Sequence, residues 1–483
     1  MQRKFITNLA LVLALNLLIK PFWILGIDRA VQNAVGTEQY GFYYSIFGFS
    51  FLLNILLDLG ITNFNNKNIS QNNHLLSKHF ASIVLLRILL TVIFTIVTLV
   101  AGLVIQYTPD MMKMLVAVIF NQILISFIMY LRSNLAGLHL FKTDSIISVL
   151  DRLIMIAICA GLLWKYSTPG SFQIKWFVYA QTAAYLITMG ITLFIVIGKA
   201  KVRKFTWRWP FFVMILKKSY PYAVLVLLMT FYNRIDSVMI ERLLPFRVGA
   251  NEAGIYASAY RLLDSANMIA LLFAGLLLPI FARMIKLRQN VEEIVRLSFS
   301  LLVIPAFVVV ICCNFFSYEL MNLLYSGDHI QESSDVFKIL MCCFVPISST
   351  YIFGTLLTAN GNLRQLNFMA SFGMAVNIIM NFILIPKYWA VGAAVSSITT
   401  QVFTALTQII MVQKAFEFKK NYKLIVKVLL FIGACILINY FAYTLNLFWI
   451  TRFVIAAVAC FALAFALRLI SIRNLIHIIK YEE

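Results

Sequence analysis

Apolar segments of about twenty residues recur along the whole chain, and no large polar domain interrupts them. A helix of that length crosses a hydrocarbon core of about 30 Å. The chain of 483 residues is 62% hydrophobic and only 12% charged, a balance that no water-soluble fold can bury. The sequence therefore predicts an all-α integral membrane protein with about fourteen transmembrane helices.

The predicted spans form a regular series. The first six cover residues 7–27, 40–62, 80–105, 112–131, 145–163 and 177–197. The next six begin at residues 221, 255, 297, 337, 366 and 389, and a last pair covers residues 424–444 and 448–469.

The positive charges test this series, because Lys and Arg accumulate in cytoplasmic loops. The net charge is +21, but the basic residues lie between apolar segments and form no patch, which argues against a nucleic-acid partner. Most of the 40 Lys and Arg residues fall on one side of the membrane when both termini are placed in the cytoplasm. We therefore expect a multi-pass protein with both termini cytoplasmic.

A basic linker between the sixth and seventh helices and two short repeats suggest the domain plan. Tyr40-Gly41-Phe42-Tyr43 resembles Ala253-Gly254-Ile255-Tyr256, and Leu135-Ala136-Gly137 resembles Ala359-Asn360-Gly361. The pattern predicts two six-helix lobes with pseudo-symmetry, residues 1–200 and 201–415, which face a central cavity. Residues 416–483 would hold two further helices and a cytoplasmic tail.

Two cations occupy similar depths in the predicted lobes. Lys20 and Arg234 both lie thirteen residues into their helices, where a charge must be paired, face water or act on a ligand. Together they would hold an anion such as a pyrophosphate. The structural alternative is that Arg234 neutralises an acid on a neighbouring helix. Asp236 is a poor partner, because two residues along a helix turn about 200° around it.

The other charges within predicted spans have either a functional or a structural interpretation. Arg261 and Asp264 share a helix face, so Arg261 either binds the ligand or forms a structural salt bridge with Asp264. Asp236 and Asp264 are candidate ion-coupling residues, with simple pairing as the alternative. For the remaining charges we expect snorkelling to the cytoplasmic interface; they are Asp58, Arg87, Asp151 and Arg152.

The cysteines indicate no cofactor. All seven lie in apolar stretches without a CxxC pair or a nearby histidine, which favours packing over metal binding; they are Cys159, Cys312, Cys313, Cys342, Cys343, Cys435 and Cys460. We expect no cofactor, no metal site and no catalytic residues.

Three stretches carry a resemblance to a known family. They are Val35-Gly36-Thr37-Glu38-Gln39-Tyr40-Gly41 with the later Asp58-Leu59-Gly60, Tyr232-Asn233-Arg234-Ile235-Asp236-Ser237-Val238-Met239, and Ala253-Gly254-Ile255-Tyr256-Ala257-Ser258-Ala259-Tyr260-Arg261-Leu262-Leu263. The chain resembles the bacterial O-antigen type oligosaccharide flippases of the multidrug/oligosaccharidyl-lipid/polysaccharide exporter superfamily. Arg234, Asp236 and Arg261 match patterned positions of that family, whereas Lys20 rests on its depth alone.

The resemblance implies a function and a location. It implies export of undecaprenyl-pyrophosphate-linked oligosaccharides across a bacterial inner membrane by alternating access, for O-antigen, capsule or exopolysaccharide synthesis. The expected partners are the lipid-linked oligosaccharide, membrane lipid and other membrane proteins of polysaccharide assembly. A multidrug exporter of the same superfamily is the first alternative. A membrane polymerase or ligase is the second, although the longest predicted outer loop, around residues 317–335, lacks a catalytic constellation.

Overall fold

The structure is a computed structural model of the chain. It describes residues 15–16, 18–19, 21–62, 65, 69, 75–138, 140–166, 172–200, 207, 209–327, 329–418 and 422–470. Throughout these residues the regular secondary structure is helical, and none of them forms a strand. The described chain divides into two compact units, Met1–Ala257 and Ser258–Glu483.

The first unit contains a π-helical segment, Trp23–Asp28, that continues directly into α1. Its helices are α1 (Arg29–Val35), α2 (Thr37–Leu52), α3 (Ile55–Asp58), α4 (Leu75–Val104), α5 (Pro109–Gly137), α6 (Phe141–Lys165), α7 (Ile174–Ala200), α8 (Trp209–Leu243) and the first part of α9 (Phe246–Lys286). Buried apolar side chains from α4, α5, α7 and α8 share one core, which includes Phe80, Leu131, Val196 and Phe212.

The second unit contains the rest of α9 and seven further helices. They are α10 (Glu292–Phe315), α11 (Ser317–Leu324), α12 (Ile330–Cys342), α13 (Phe344–Ala359), α14 (Leu363–Phe416), α15 (Tyr422–Thr444) and α16 (Trp449–Ala466). The last two helices pack on α10 through a core that buries Cys312, Cys435 and Cys460. In that core these three cysteines act as small packing residues, as the sequence predicts.

Helix α14 folds back on itself. Trp389 leaves the helical conformation, with φ 53° and ψ −133°, and so divides α14 into two limbs. A Cβ atom added to Gly392 would clash with the Leu384 carbonyl group, which a straight helix would place about 12 Å away. The two limbs therefore form a tight hairpin, and the second predicted span of this region correctly begins at Trp389.

The membrane character of the fold is clear from its helices. Among the described residues, ten helical stretches are long and apolar enough to cross a membrane, and the α14 hairpin is one of them. The predicted spans at 40–62 and from 255 correspond to α2 with α3 and to α9. Much of the predicted first span lies outside the described residues. The all-α membrane fold is thus confirmed, while the boundaries at residues 200 and 415 and the two-lobe arrangement stay predictions.

Of the four charges expected to snorkel, Arg87 lies in a different setting. It is only 1% exposed, pairs with Asp58 at 2.6 Å and donates to the Ser126 carbonyl oxygen at 2.8 Å. Helix α6 begins earlier than predicted, so Asp151 lies about 15 Å along it. The Asp151 and Arg152 side chains are 19% and 28% exposed, and for them and Asp58 snorkelling stays a prediction.

Candidate functional site

Arg234 lies on the part of α8 that packs against α2. Its guanidinium group stands 5.5 Å from the centre of the Phe51 ring, and the residue is half-buried. The helices approach closely here because Gly48 carries no side chain: a Cβ atom at that position would lie 2.7 Å from the Ser237 hydroxyl oxygen. Arg234 is thus held beside an aromatic ring, a setting that favours a guanidinium group over an ammonium group.

Asp236 lies on another face of α8. It is 1% exposed, and one of its carboxylate oxygens accepts a hydrogen bond of 2.7 Å from the Tyr256 hydroxyl group on α9. Arg234 faces Phe51 on α2, whereas Asp236 faces α9. The expectation that the two residues are poor direct partners stays a prediction.

Two of the remaining predicted residues lie on α9. Arg261 and Asp264 are half-buried on the part of α9 that belongs to the second unit. The Arg261 carbonyl oxygen accepts a hydrogen bond from Ser265, which is local to the helix. Lys20 lies outside the described residues. The shared cavity for Lys20, Arg234 and Arg261, and the coupling roles of Asp236 and Asp264, therefore stay predictions.

The interior of the first unit contains a polar group of residues that the sequence did not predict as one cluster. We call it the Asp28 cluster: Asp28, Tyr43, Asp151, Arg152 and Tyr185. Asp28 is 1% exposed at the end of the π-helical segment. The Arg152 guanidinium group lies 3.6 Å from the Asp151 carboxylate and interacts electrostatically with Asp28 and both phenols.

Aromatic and amide side chains enclose this cluster. Trp23 lies under the Arg152 guanidinium group at 5.6 Å and stacks on Phe177, while Gln181 donates a hydrogen bond of 2.9 Å to the Tyr43 hydroxyl oxygen. Carboxylates, a guanidinium group and phenols inside a membrane domain are the groups that relay protons or bind polar ligands. Hydropathy missed Asp28 because the predicted span ended one residue before it. Its only available signal is the acid itself, directly after an apolar run.

Two glycine motifs of the sequence contact each other. A Cβ atom on Gly41 would clash with the Ala250 carbonyl oxygen, and a Cβ atom on Gly254 would clash with the Thr37 carbonyl oxygen. Thr37 and Ala250 each stand four residues before one of the glycines, so the contact is reciprocal, as a two-fold axis requires. The Thr37 hydroxyl group also donates to the Asn251 side-chain oxygen at 2.6 Å. We call this crossing of α2 and α9 the glycine contact.

A buried ion pair lies at the end of α8. Glu241, with a side chain only 1% exposed, pairs with Arg242 at 2.8 Å. The Arg242 guanidinium group stacks over the Tyr107 ring at 4.3 Å, in the turn between α4 and α5. Burial, and next the charge of Glu241, raise the pKa of the Tyr107 hydroxyl group above its ordinary value of 10.0.

Among the described residues, no group of three or more His, Cys, Asp or Glu side chains is placed to hold a metal ion. The long apolar helices define an all-α membrane fold.

Comparison with known proteins gives the family. Residues 27–285 match the family described as polysaccharide biosynthesis protein, which is more than half of the chain. The chain belongs to that family, as its resemblance to the oligosaccharide flippases suggested. No curated protein sequence matches the chain.

Solved structures confirm the fold class. The chain is similar to the lipid II flippase MurJ in an inward closed conformation, with a TM-score of 0.69, 14% identity, and coverage of 92% of this chain and 96% of that one. An inward-facing MATE family multidrug resistance transporter of the MOP superfamily gives a TM-score of 0.65 at 15% identity, covering 85% and 98%. A MOP superfamily transporter from Pyrococcus furiosus, described by the reverse polarity of its binding pocket, gives a TM-score of 0.57 at 14% identity. The match covers 85% of this chain and 94% of that one.

Proposed function

We propose that the protein flips an undecaprenyl-pyrophosphate-linked oligosaccharide from the cytoplasmic to the outer leaflet of a bacterial inner membrane. Membership of the polysaccharide biosynthesis protein family over residues 27–285 is the observation that carries this proposal. The fold shared with a lipid II flippase supports it. Flipping requires no covalent step, so the proposal includes no catalytic residue.

Arg234 is the residue we assign to the pyrophosphate. Its guanidinium group is planar and permanently charged, and it can hold two phosphate oxygens at once. Packing against Phe51 restricts its motion, which lowers the entropy lost when an anion binds. Arg261 and Lys20 are the further candidate binding residues of this proposal.

Alternating access requires helices to separate on the side of the membrane to which the binding site opens and to close on the other side. We assign the glycine contact to the outer closure, since α2 and α9 touch there at the side predicted to face outward. The substrate is anionic, so an inside-negative potential favours its outward movement by about 2.3 kcal/mol per charge per 100 mV. Asp236, Asp264 and the Asp28 cluster are the candidates for a coupled proton or cation.

Transbilayer movement in proteoliposomes tests the proposal. The intact protein is expected to expose a labelled undecaprenyl-pyrophosphate oligosaccharide to an external enzyme, and empty vesicles are not. Arg234→Ala should abolish most of this movement, and Arg234→Lys should restore part of it. Lys113→Ala is the matched control, because Lys113 is 80% exposed in its pair with Asp110. Full activity of a folded Arg234→Ala protein would remove Arg234 from the site.

A multidrug exporter is the second candidate, because MATE family transporters share the fold and the Asp28 cluster supplies the buried carboxylate of Asp28 and the partly exposed one of Asp151. Cationic compounds would bind such acids. If the vesicles move cationic dyes but no lipid-linked saccharide of any tested type, this second function replaces the first.

A further inference from the structure

A groove opens between the two limbs of α14, wholly within the second unit. Its volume is about 1000 Å³. The limbs touch at Gly373, where a Cβ atom would lie 3.2 Å from a Thr404 methyl carbon, and they separate toward their free ends. Phe372 and Phe403 meet across the groove with ring centroids 5.1 Å apart and close its deep end. We call this cavity the basic groove.

Charge and apolar surface are separated along the basic groove. Arg364 and Lys414 are exposed at its mouth, one from each limb. Below them the walls are formed by Phe368, Met369 and Met411. None of the lining residues is acidic. From Arg364 to Phe372 the groove runs about 12 Å along the first limb.

The mouth lies where the lipid phosphates should be. Both free ends of α14 are predicted to lie on the cytoplasmic side, and Lys423 and Lys427 follow at the start of α15. An anionic leaflet surface attracts such basic segments. Phe368 is 77% exposed, as expected for a side chain that meets lipid.

We propose that the basic groove binds one anionic glycerophospholipid, with its phosphate between Arg364 and Lys414 and an acyl chain along Phe368, Met411 and Phe372. Two cations can contact the two unesterified oxygens of one phosphate diester, and the apolar walls match a hydrocarbon chain. A saccharide-bearing lipid fits less well, because only three uncharged polar side chains line the groove to bind sugar hydroxyl groups: Asn362, Gln365 and Thr407. The proposal does not depend on what the protein transports.

Native mass spectrometry of the delipidated full chain in detergent tests this assignment, with phosphatidylglycerol as the probe and phosphatidylcholine as the neutral comparison. We expect one phosphatidylglycerol to bind in preference to phosphatidylcholine. The double variant Arg364→Ala with Lys414→Ala should weaken that binding about tenfold or more. The control Lys423→Ala with Lys427→Ala removes the same charge from the same side but outside the groove, and it should leave binding unchanged.

Two further arms separate the alternatives. Phe372→Ala should weaken phosphatidylglycerol binding without changing the weaker binding of glycerol phosphate, since only the lipid has a chain to place in the groove. An equal loss in both double variants would mean diffuse attraction and would overturn the proposal. So would displacement of phosphatidylglycerol by substoichiometric undecaprenyl pyrophosphate, which would make the groove a substrate site. Melting temperatures in detergent verify that each variant is folded.

Discussion

At the scale of single residues, Arg87 shows how the protein accommodates a charge inside a membrane. Its guanidinium group contacts the Asp58 carboxylate at 2.6 Å, the Ser126 carbonyl oxygen at 2.8 Å and the face of Tyr130, whose ring centre is 5.1 Å away. A buried charge is costly unless it is paired and hydrogen-bonded. Each of these contacts therefore supports a residue that would otherwise destabilise the first unit.

Removing one member of this pair should destabilise the fold strongly. Asp58→Asn leaves the Arg87 charge buried without its counter-charge, and we expect a loss of about 3 kcal/mol or more. Arg87→Met with Asp58→Asn removes both charges and should recover part of that loss. Thermal unfolding in detergent measures the effect, with Lys113→Ala as the exposed control. Equal melting temperatures for Asp58→Asn and wild type would contradict this view of the pair.

Tyr107 predicts a pH dependence. Its pKa is raised in the folded state, so the folded protein keeps the phenol neutral where the unfolded chain already ionises it. This stability is fully present below the ordinary phenol pKa of about 10 and is lost as the pH rises above it. The melting temperature should therefore fall more steeply above about pH 10 in wild type than in Tyr107→Phe. Parallel curves would show that the phenol does not contribute.

The sequence predicted the residues of the site unevenly. Asp236 was singled out, but its hydrogen bond with Tyr256 was not. Asp28 was missed because hydropathy reports apolar length and not which polar residue at a helix end turns inward. The pairing of Arg87 with Asp58 was missed as well, since single-sequence patterns do not report contacts between helices.

At the scale of helices, the contact between α2 and α9 depends on glycine. Backbone contacts at Gly41 and Gly254 require positions without side chains, and both glycines stand in the motifs that indicated an internal repeat. Both motifs could be recognised in the sequence, but the contact between them could not be predicted from it. It predicted the α14 hairpin through the break between two apolar runs. It did not predict the π-helical segment Trp23–Asp28.

Alanine substitutions test the glycine contact. Gly41→Ala or Gly254→Ala places a methyl group against backbone that cannot move away, which should cost about 1–3 kcal/mol of stability and weaken the outer closure. Gly190→Ala is the control: it lies on α7 with no atom within 4 Å of the added Cβ, so helix propensity should make it neutral or slightly stabilising. Melting temperature measures the first effect and the flipping assay the second. If Gly41→Ala has the same effect as Gly190→Ala, the glycine contact has no role in the mechanism.

At the scale of the first unit, contacts between distant segments show which loops lie at the same end of the helices. The hydrogen bond from Thr37 to Asn251 and the stacking of Arg242 on Tyr107 place the segments around residues 37, 107 and 242–251 together. The ion pair of Arg132 with Asp144 and the contact of Gly60 with Ser219 group residues near the other end of α4, about 45 Å away. An even number of crossings separates the members of each group, as the predicted helix order requires.

The orientation of this arrangement is the remaining prediction. With both termini cytoplasmic, the exposed residues Lys113 and Glu332 face outward, and the exposed residues Lys142 and Arg288 face the cytoplasm. Each is changed to cysteine singly, and the unmodified chain, whose native cysteines are buried or half-buried, serves as the blank. A membrane-impermeant maleimide should label Lys113→Cys and Glu332→Cys in intact cells, but Lys142→Cys and Arg288→Cys only after permeabilisation. The reverse pattern would invert the protein and place the mouth of the basic groove in the outer leaflet. A mixed pattern would mean that a helix between two of the labelled positions does not cross the membrane.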